Sequence, residues 1–258
     1  LDALSSFLPE GLSVFAALIL VVASFFTSAL TAAVGVGGGL LMLALMSYIL
    51  PIYALIPVHG LVQLGSNVGR SYVQRLYISW PVVRIFLLGS LFGALAGAMF
   101  VVQLPENLLR GLLGLFILIV VWIKFPKLSN PGSLMIASGG LVTTFVTMFA
   151  GATGPLVAVF LNRVFTEHKQ MVATHGMTMS VQHALKVAAF TFAGFAFMEW
   201  MPLVMIIIAS GYAGTRAGSR LLEQLPEAKL KLFFKGVMTL VALDMLRSLF
   251  VYSILTFG

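Results

Sequence analysis

Residues 57–73 read PVHGLVQLGSNVGRSYV, an apolar stretch that carries a set of polar side chains. On a helix turning roughly 100° per residue, His59, Gln63, Ser66, Asn67 and Arg70 fall within roughly 100° of arc, on one face. Further along, His175, Gln182, His183 and Lys186 take the corresponding face of a second helix. Together these groups offer hydrogen-bond donors and positive charge but no carboxylate. Such a set would hold an anion. An ionisable group within a membrane span costs about 2.5–3.5 kcal/mol on insertion scales and by default marks a pathway. Each group also has an ordinary structural reading. Arg70 near its helix end could snorkel to the surface, and the histidines could be hydrogen-bonded packing residues. His168, in the charged stretch TEHK, reads as solvated.

A second polar feature is backbone. The run VGVGGG at 34–39 places Gly35, Gly37, Gly38 and Gly39 inside an apolar stretch. Glycine weakens a helix by about 1 kcal/mol relative to alanine. GATGP at 151–155 repeats the feature with Gly151, Thr153, Gly154 and Pro155. Glycine permits tight turns and close approach of backbone to a ligand, and proline suits the first turn of a helix. Helices starting near Gly39 and Pro155 would present free N–H groups and a positive dipole end, which suits an anion. Gly89, Gly93 and Gly97, spaced by four, and Gly214 and Gly218 read instead as close helix packing.

The elements that must hold these groups are membrane helices. The chain of 258 residues is 60% hydrophobic and 9% charged, with mean hydropathy +1.07. A soluble domain carries about 25% charged residues, so a soluble globule is excluded. Stretches such as 12–33 and 85–102 run uncharged for about 18 residues or more, enough to cross hydrocarbon. Apolar segments lie near 11–34, 36–50, 57–73, 81–103, 107–123, 133–150, 155–163, 172–196, 202–222 and 232–257. The segment at 155–163 is too short to span, and that at 36–50 is marginal. The chain has no cysteine, which excludes disulfides and thiolate metal sites. The net charge of +7 sits mostly in short loops, where it sets orientation rather than binding nucleic acid.

The two halves echo one another. At an offset of 116, AVGVGGGLL matches FAGATGPLV, Val58-His59-Gly60 matches Thr174-His175-Gly176, Asn67 meets His183 and Arg70 meets Lys186. At an offset of 121, Pro81 pairs with Pro202, Gly93 with Gly214, Gly97 with Gly218, and Leu104-Pro105-Glu106 with Leu225-Pro226-Glu227. The repeats are 1–125 and 126–258, joined by the polar linker at 124–132. Glu106 and Glu227 read as helix N-terminal residues, and Asp244 with Arg247 as an i, i+3 pair.

Basic residues cluster in alternate loops: Arg70, Arg75 and Arg84; Lys124 and Lys127; Arg163 and Lys169; Arg216, Arg220, Lys229, Lys231 and Lys235. The intervening turns are poor in positive charge, and the N-terminus has Asp2 and Glu10 only. With every basic loop in the cytoplasm, 11–50 leaves from and returns to the outside, while 133–163 does so from the inside. The expected fold is therefore an all-α polytopic membrane protein with two inverted-topology repeats. Each repeat is a broken-helix hairpin with a Gly-rich tip plus three transmembrane helices. The plan recurs in secondary transporters. The N-terminus is predicted outside and the central linker cytoplasmic. Divided evenly, the second hairpin gives legs of about 15 residues, or about 22 Å. That is short of a hydrocarbon core of about 30 Å and puts its turn inside the membrane.

VGVGGGLLMLALM, the His-Gly helix that follows, and AGATGPLVAVFLNRVF together resemble the sulfite exporter TauE/SafE family of membrane permeases over nearly the whole chain. That family often carries a proline shortly after the glycine run; Ala44 stands in that stretch here. Its members are anion transporters linked to sulfite, sulfoacetate and other organosulfonates, generally without ATP. The resemblance implies an inner-membrane secondary carrier, an exporter of small sulfur-containing anions. The residues themselves reach as far as an anion transporter. The expected substrate-binding set is Gly37, Gly38, Gly39, Gly151, Thr153, Gly154, His59, Gln63, Asn67, Arg70, His175, His183 and Lys186. Histidine titrates near neutral pH, so proton coupling is open. So are an anion channel, a carrier of another small carboxylate or oxyanion, and a membrane scaffold with no substrate. No catalytic, metal or cofactor motif is found, the expected partners are a small anion and the bilayer, and the oligomeric state is open.

Overall fold

A computed structural model describes residues 8–34, 37–101, 106–123, 132–221, 232 and 235–247. Gly35, Asp2, the linker at 124–131, the dipeptide at 104–105 and the matching Leu-Pro-Glu at 225–227 lie outside the described residues, as does the His168 side chain.

The described chain is helical. In order come α1 (Val14–Val34), α2 (Gly38–Met46), α3 (Ile52–Val73), α4 (Trp80–Val101), α5 (Glu106–Trp122), α6 (Ser133–Ala150), α7 (Gly154–Val164), α8 (His168–Phe192) and α9 (Met201–Leu221), with 3-10 turns at Arg75–Tyr77 and Phe197–Trp200. Residues 235–247 are also helical. The stretches Val14–Ala32, Trp80–Met99, Ser133–Ala150 and Phe197–Gly218 are long and apolar enough to cross a bilayer. Their outward faces carry Phe15, Phe26, Phe92, Leu95 and Ile206, all more than half exposed. Lipid, not water, suits such a surface. The protein is a multi-pass membrane protein.

Sequence chemistry explains where the helices stop. Gly37 precedes α2 with φ 110°, and Gly151 ends α6 with φ 71°. Only glycine adopts such angles without strain. Pro155 sits in the first turn of α7, where its missing N–H costs nothing. The second hairpin divides unevenly, into 18 residues for α6 and 11 for α7, rather than the even legs expected. The positive-φ residue sets that division, because the turn falls at Gly151. At 1.5 Å per residue, α2 and α7 extend only about 14 and 16 Å, well short of a hydrocarbon core of about 30 Å.

Small residues let the long helices touch backbone to backbone. A Cβ at Gly89 or Gly93 on α4 would stand 1.8 or 2.2 Å from the carbonyl oxygen of Ala137 or Leu141 on α6. A Cβ at Gly214 or Gly218 on α9 would stand 2.0 or 2.5 Å from that of Phe25 or Ala29 on α1. These are the packing glycines that the spacing by four suggested. Ser24 Oγ donates to Ile207 O at 2.8 Å in the α1–α9 pair, and Ser90 Oγ donates to Gly140 O at 3.4 Å in the α4–α6 pair. Between these pairs α3 lies against α8. The main apolar core gathers residues of α2, α3, α5, α9 and 235–247, among them Leu43, Leu55, Leu113, Val204 and Met238. Arg247 donates to Asp244 at 3.0 Å, the local pair read from the sequence.

Candidate functional site

Two short helices and two histidine helices converge on one polar cavity. The N-termini of α2 and α7 supply Gly37, Gly38, Gly39, Gly154 and Pro155 to its wall. Neither N-terminus has a side-chain cap, so their first N–H groups are left to other partners. From α3 come His59, Gln63, Ser66, Asn67 and Arg70; from α8 come His175, Met179 and His183. No acidic side chain lines it. About 40 Å³ is open to the centre of a water-sized sphere. A water needs about 10–15 Å³ on that measure, so the room suits a few waters or one small ion. A larger groove of about 400 Å³ adjoins it and shares Thr31, Ser66 and Arg70.

Of the expected binding residues, Gly37, Gly38, Gly39, His59, Gln63, Asn67, Arg70, Gly154, His175 and His183 line this cavity. Gly151, Thr153 and Lys186 do not. They belong to an adjoining buried network. Lys186, with no exposed surface, donates from Nζ to Gly151 O at 2.6 Å and to Thr147 Oγ1 at 3.0 Å. Its ammonium thus caps the C-terminal end of α6, where the helix dipole favours a cation. Thr153 Oγ1 donates to Gln182 Oε1 at 3.1 Å, and Gln182 Nε2 donates to Thr143 and Thr144 at 2.6 and 3.0 Å.

The histidines are held by the helix breaks. His59 Nε2 lies 2.9 Å from Gly39 O, and His175 Nε2 lies 3.0 Å from Gly154 O. A carbonyl only accepts, so each ring donates there. The His59 and His183 rings meet edge to face at 6.0 Å. Arg70 donates from Nη2 to Asn67 Oδ1 at 2.5 Å. Its Nε is buried with no partner, as is Nδ1 of His59, His175 and His183. Arg70 is half-buried beside the cavity.

The glycines after the two histidines admit this crossing. A Cβ at Gly60 would lie 2.9 Å from Lys186 Cδ. One at Gly176 would lie 2.8 Å from Ser71 Oγ and 3.5 Å from Arg70 Nε. Each His-Gly pair therefore makes room for the cationic helix face opposite it. Gly38 is tighter for a different reason: its Cβ would meet Thr27 O at 1.9 Å on α1. At Gly154 the nearest atom, His175 Nε2, is 3.8 Å away.

Thr27, Ser28 and Thr31 of α1 also line the cavity, and the sequence reading missed them. A signal was available. Carried toward the N-terminus, the offset of 116 sets Thr27, Ser28 and Thr31 against Thr143, Thr144 and Thr147, the hydroxyls that serve Gln182 and Lys186. Among the described residues, no group of three or more acids and histidines is placed to hold a metal.

A family model described as Sulfite exporter TauE/SafE matches residues 20–245. No curated protein and no solved structure matches the chain.

Proposed function

The chain belongs to the sulfite exporter TauE/SafE family, and on that footing we propose that it is a secondary transporter, an exporter of sulfite or small organosulfonates across the inner (plasma) membrane. One observation carries the reading. The uncapped N-termini of α2 and α7, the Arg70 guanidinium and three buried histidines converge on a cavity with no acidic lining. Helix N-termini and guanidinium groups favour oxyanions. The small volume favours a small one.

The transport plan is two inverted repeats, 1–125 and 126–258, with the N-terminus outside and the linker cytoplasmic. The reciprocal packing of α1 with α9 and of α4 with α6 supports it, since these helices correspond in the two halves. In this plan the anion binds near the bilayer midplane, and the two short helices, which cannot cross alone, support that reading. The groove beside Arg70, on the side of the basic loops, serves as the cytoplasmic approach.

Thermal shift of the purified protein with sulfite, sulfate, thiosulfate, sulfoacetate, isethionate, taurine and chloride tests this. A ligand at 100 times its Kd stabilises a folded protein by about 2.7 kcal/mol. Sulfite or a sulfonate is expected to raise the melting temperature selectively, with the shift lost in Arg70→Ala. The same anion should then exchange across proteoliposomes. A shift undiminished in Arg70→Ala, or no exchange of the stabilising anion, overturns the reading.

A further inference from the structure

We infer that the site takes up its anion together with a proton, held on the Nδ1 side of the buried histidines. The argument begins with which ring nitrogens carry hydrogen. Gly39 O and Gly154 O accept from Nε2 of His59 and His175 at 2.9 and 3.0 Å. A neutral imidazole has one N–H, and in both rings it is spent there. Their Nδ1 atoms are then bare lone pairs. These rings are 0% and 3% exposed, His183 is 1% exposed, and Nδ1 of all three makes no hydrogen bond of normal geometry, though the Gly151 carbonyl also lies close to the His59 ring.

A lone pair repels an oxyanion, whereas a protonated Nδ1 donates to it. For His59 and His175, hydrogen-bond accounting therefore leaves the neutral rings without a second donor and supplies one when a proton arrives. The charges around the rings push the same way. Arg70 on α3 and Lys186 on α8 are the other ionisable groups beside them, and both are basic. The cavity wall from α1, α2 and α7 has no titratable side chain. An extra proton without an anion would add to uncompensated positive charge. With the anion present it is neutralised, and binding linkage requires each ligand to strengthen the other equally. Because the His59 and His183 rings stand 6.0 Å apart, the rings titrate as a coupled set that shares the proton.

The proton can come from solvent or on the anion itself, as with hydrogen sulfite. The inference rests on the anion-carrier reading, and calorimetry on the full-length protein separates the two. Ethanesulfonate brings no proton and does not titrate near neutrality; sulfite does both. Ethanesulfonate binding should take up about one proton per anion, measured as heat that depends on the buffer's ionisation enthalpy. Its affinity should fall by up to about tenfold per pH unit as pH rises. Sulfite affinity should track the hydrogen sulfite fraction, and if ethanesulfonate is too large to bind, a sulfite affinity independent of that fraction overturns the inference. His59→Gln and His175→Gln keep a donor for the glycine carbonyl but cannot be protonated, so each should flatten the profile. Ethanesulfonate binding with buffer-independent heat and a flat pH profile overturns the inference and leaves the carrier reading standing. No binding of either anion at any pH overturns both.

Discussion

Ser66 on α3 and Gln182 on α8 stand 116 residues apart, at matching positions beside matching hydroxyl pairs. In the second half Gln182 is fully buried and fills the space, bonded to Thr143, Thr144 and Thr153. In the first half Ser66 is too short to do so. Ser66, Thr27 and Ser28 line an open cavity instead. The cations differ in the same sense. Lys186 is bonded to Thr147 and Gly151, whereas Arg70 keeps an unpartnered Nε beside the cavity. In the second half Gln182, Lys186 and the threonines satisfy one another and the Gly151 carbonyl. The first half leaves its polar groups for something else. Related positions thus need not share a role, and side-chain length decides which half is open.

The sharpest way to break this comparison is to make the first half like the second. Ser66→Gln should fill the cavity and abolish anion stabilisation in a thermal-shift assay while the protein stays folded. Retained binding would place the ligand elsewhere. The reverse change, Gln182→Ser, should instead lower stability by about 1–3 kcal/mol, because Thr143 and Thr144 lose a buried partner. Lys186→Ala sharpens the contrast between the cations. It removes two buried hydrogen bonds and opens a cavity against Gly60, and a loss of about 2–4 kcal/mol is expected. Its effect on anion affinity should be smaller than that of Arg70→Ala. The glycines give the third contrast. Gly38→Ala must displace the α1 backbone at Thr27 and should cost about 1–3 kcal/mol. Gly154→Ala meets nothing closer than 3.8 Å and should change stability by less than about 0.5 kcal/mol. Denaturation midpoints of the two variants compare them directly.

These contrasts also show which residues were legible. Arg70, Lys186 and the histidines stood out because ionisable groups in apolar helices are costly and need a reason. Thr27, Ser28 and Thr31 did not, because a hydroxyl in such a helix can satisfy itself. Thr31 Oγ1 donates to Thr27 O at 2.9 Å, one turn back. Gly38 was legible as special but not as a packing residue, since its constraint comes from α1. The even division of the second hairpin failed because length alone does not locate a turn; the positive-φ glycine does.

The sequence by itself determined that this chain lives in a membrane as helices, through its few charges and long apolar runs. It determined the two glycine breaks and the histidine faces, because these are local properties of spacing and residue type. Family membership, too, was readable from the motifs. Only the tertiary structure decided that Lys186 caps α6 while Arg70 faces the cavity, and that Gln182 closes what Ser66 leaves open. Those outcomes depend on distances between helices far apart in the chain. A side chain's role in a buried site is fixed by which partner its polar atoms reach first.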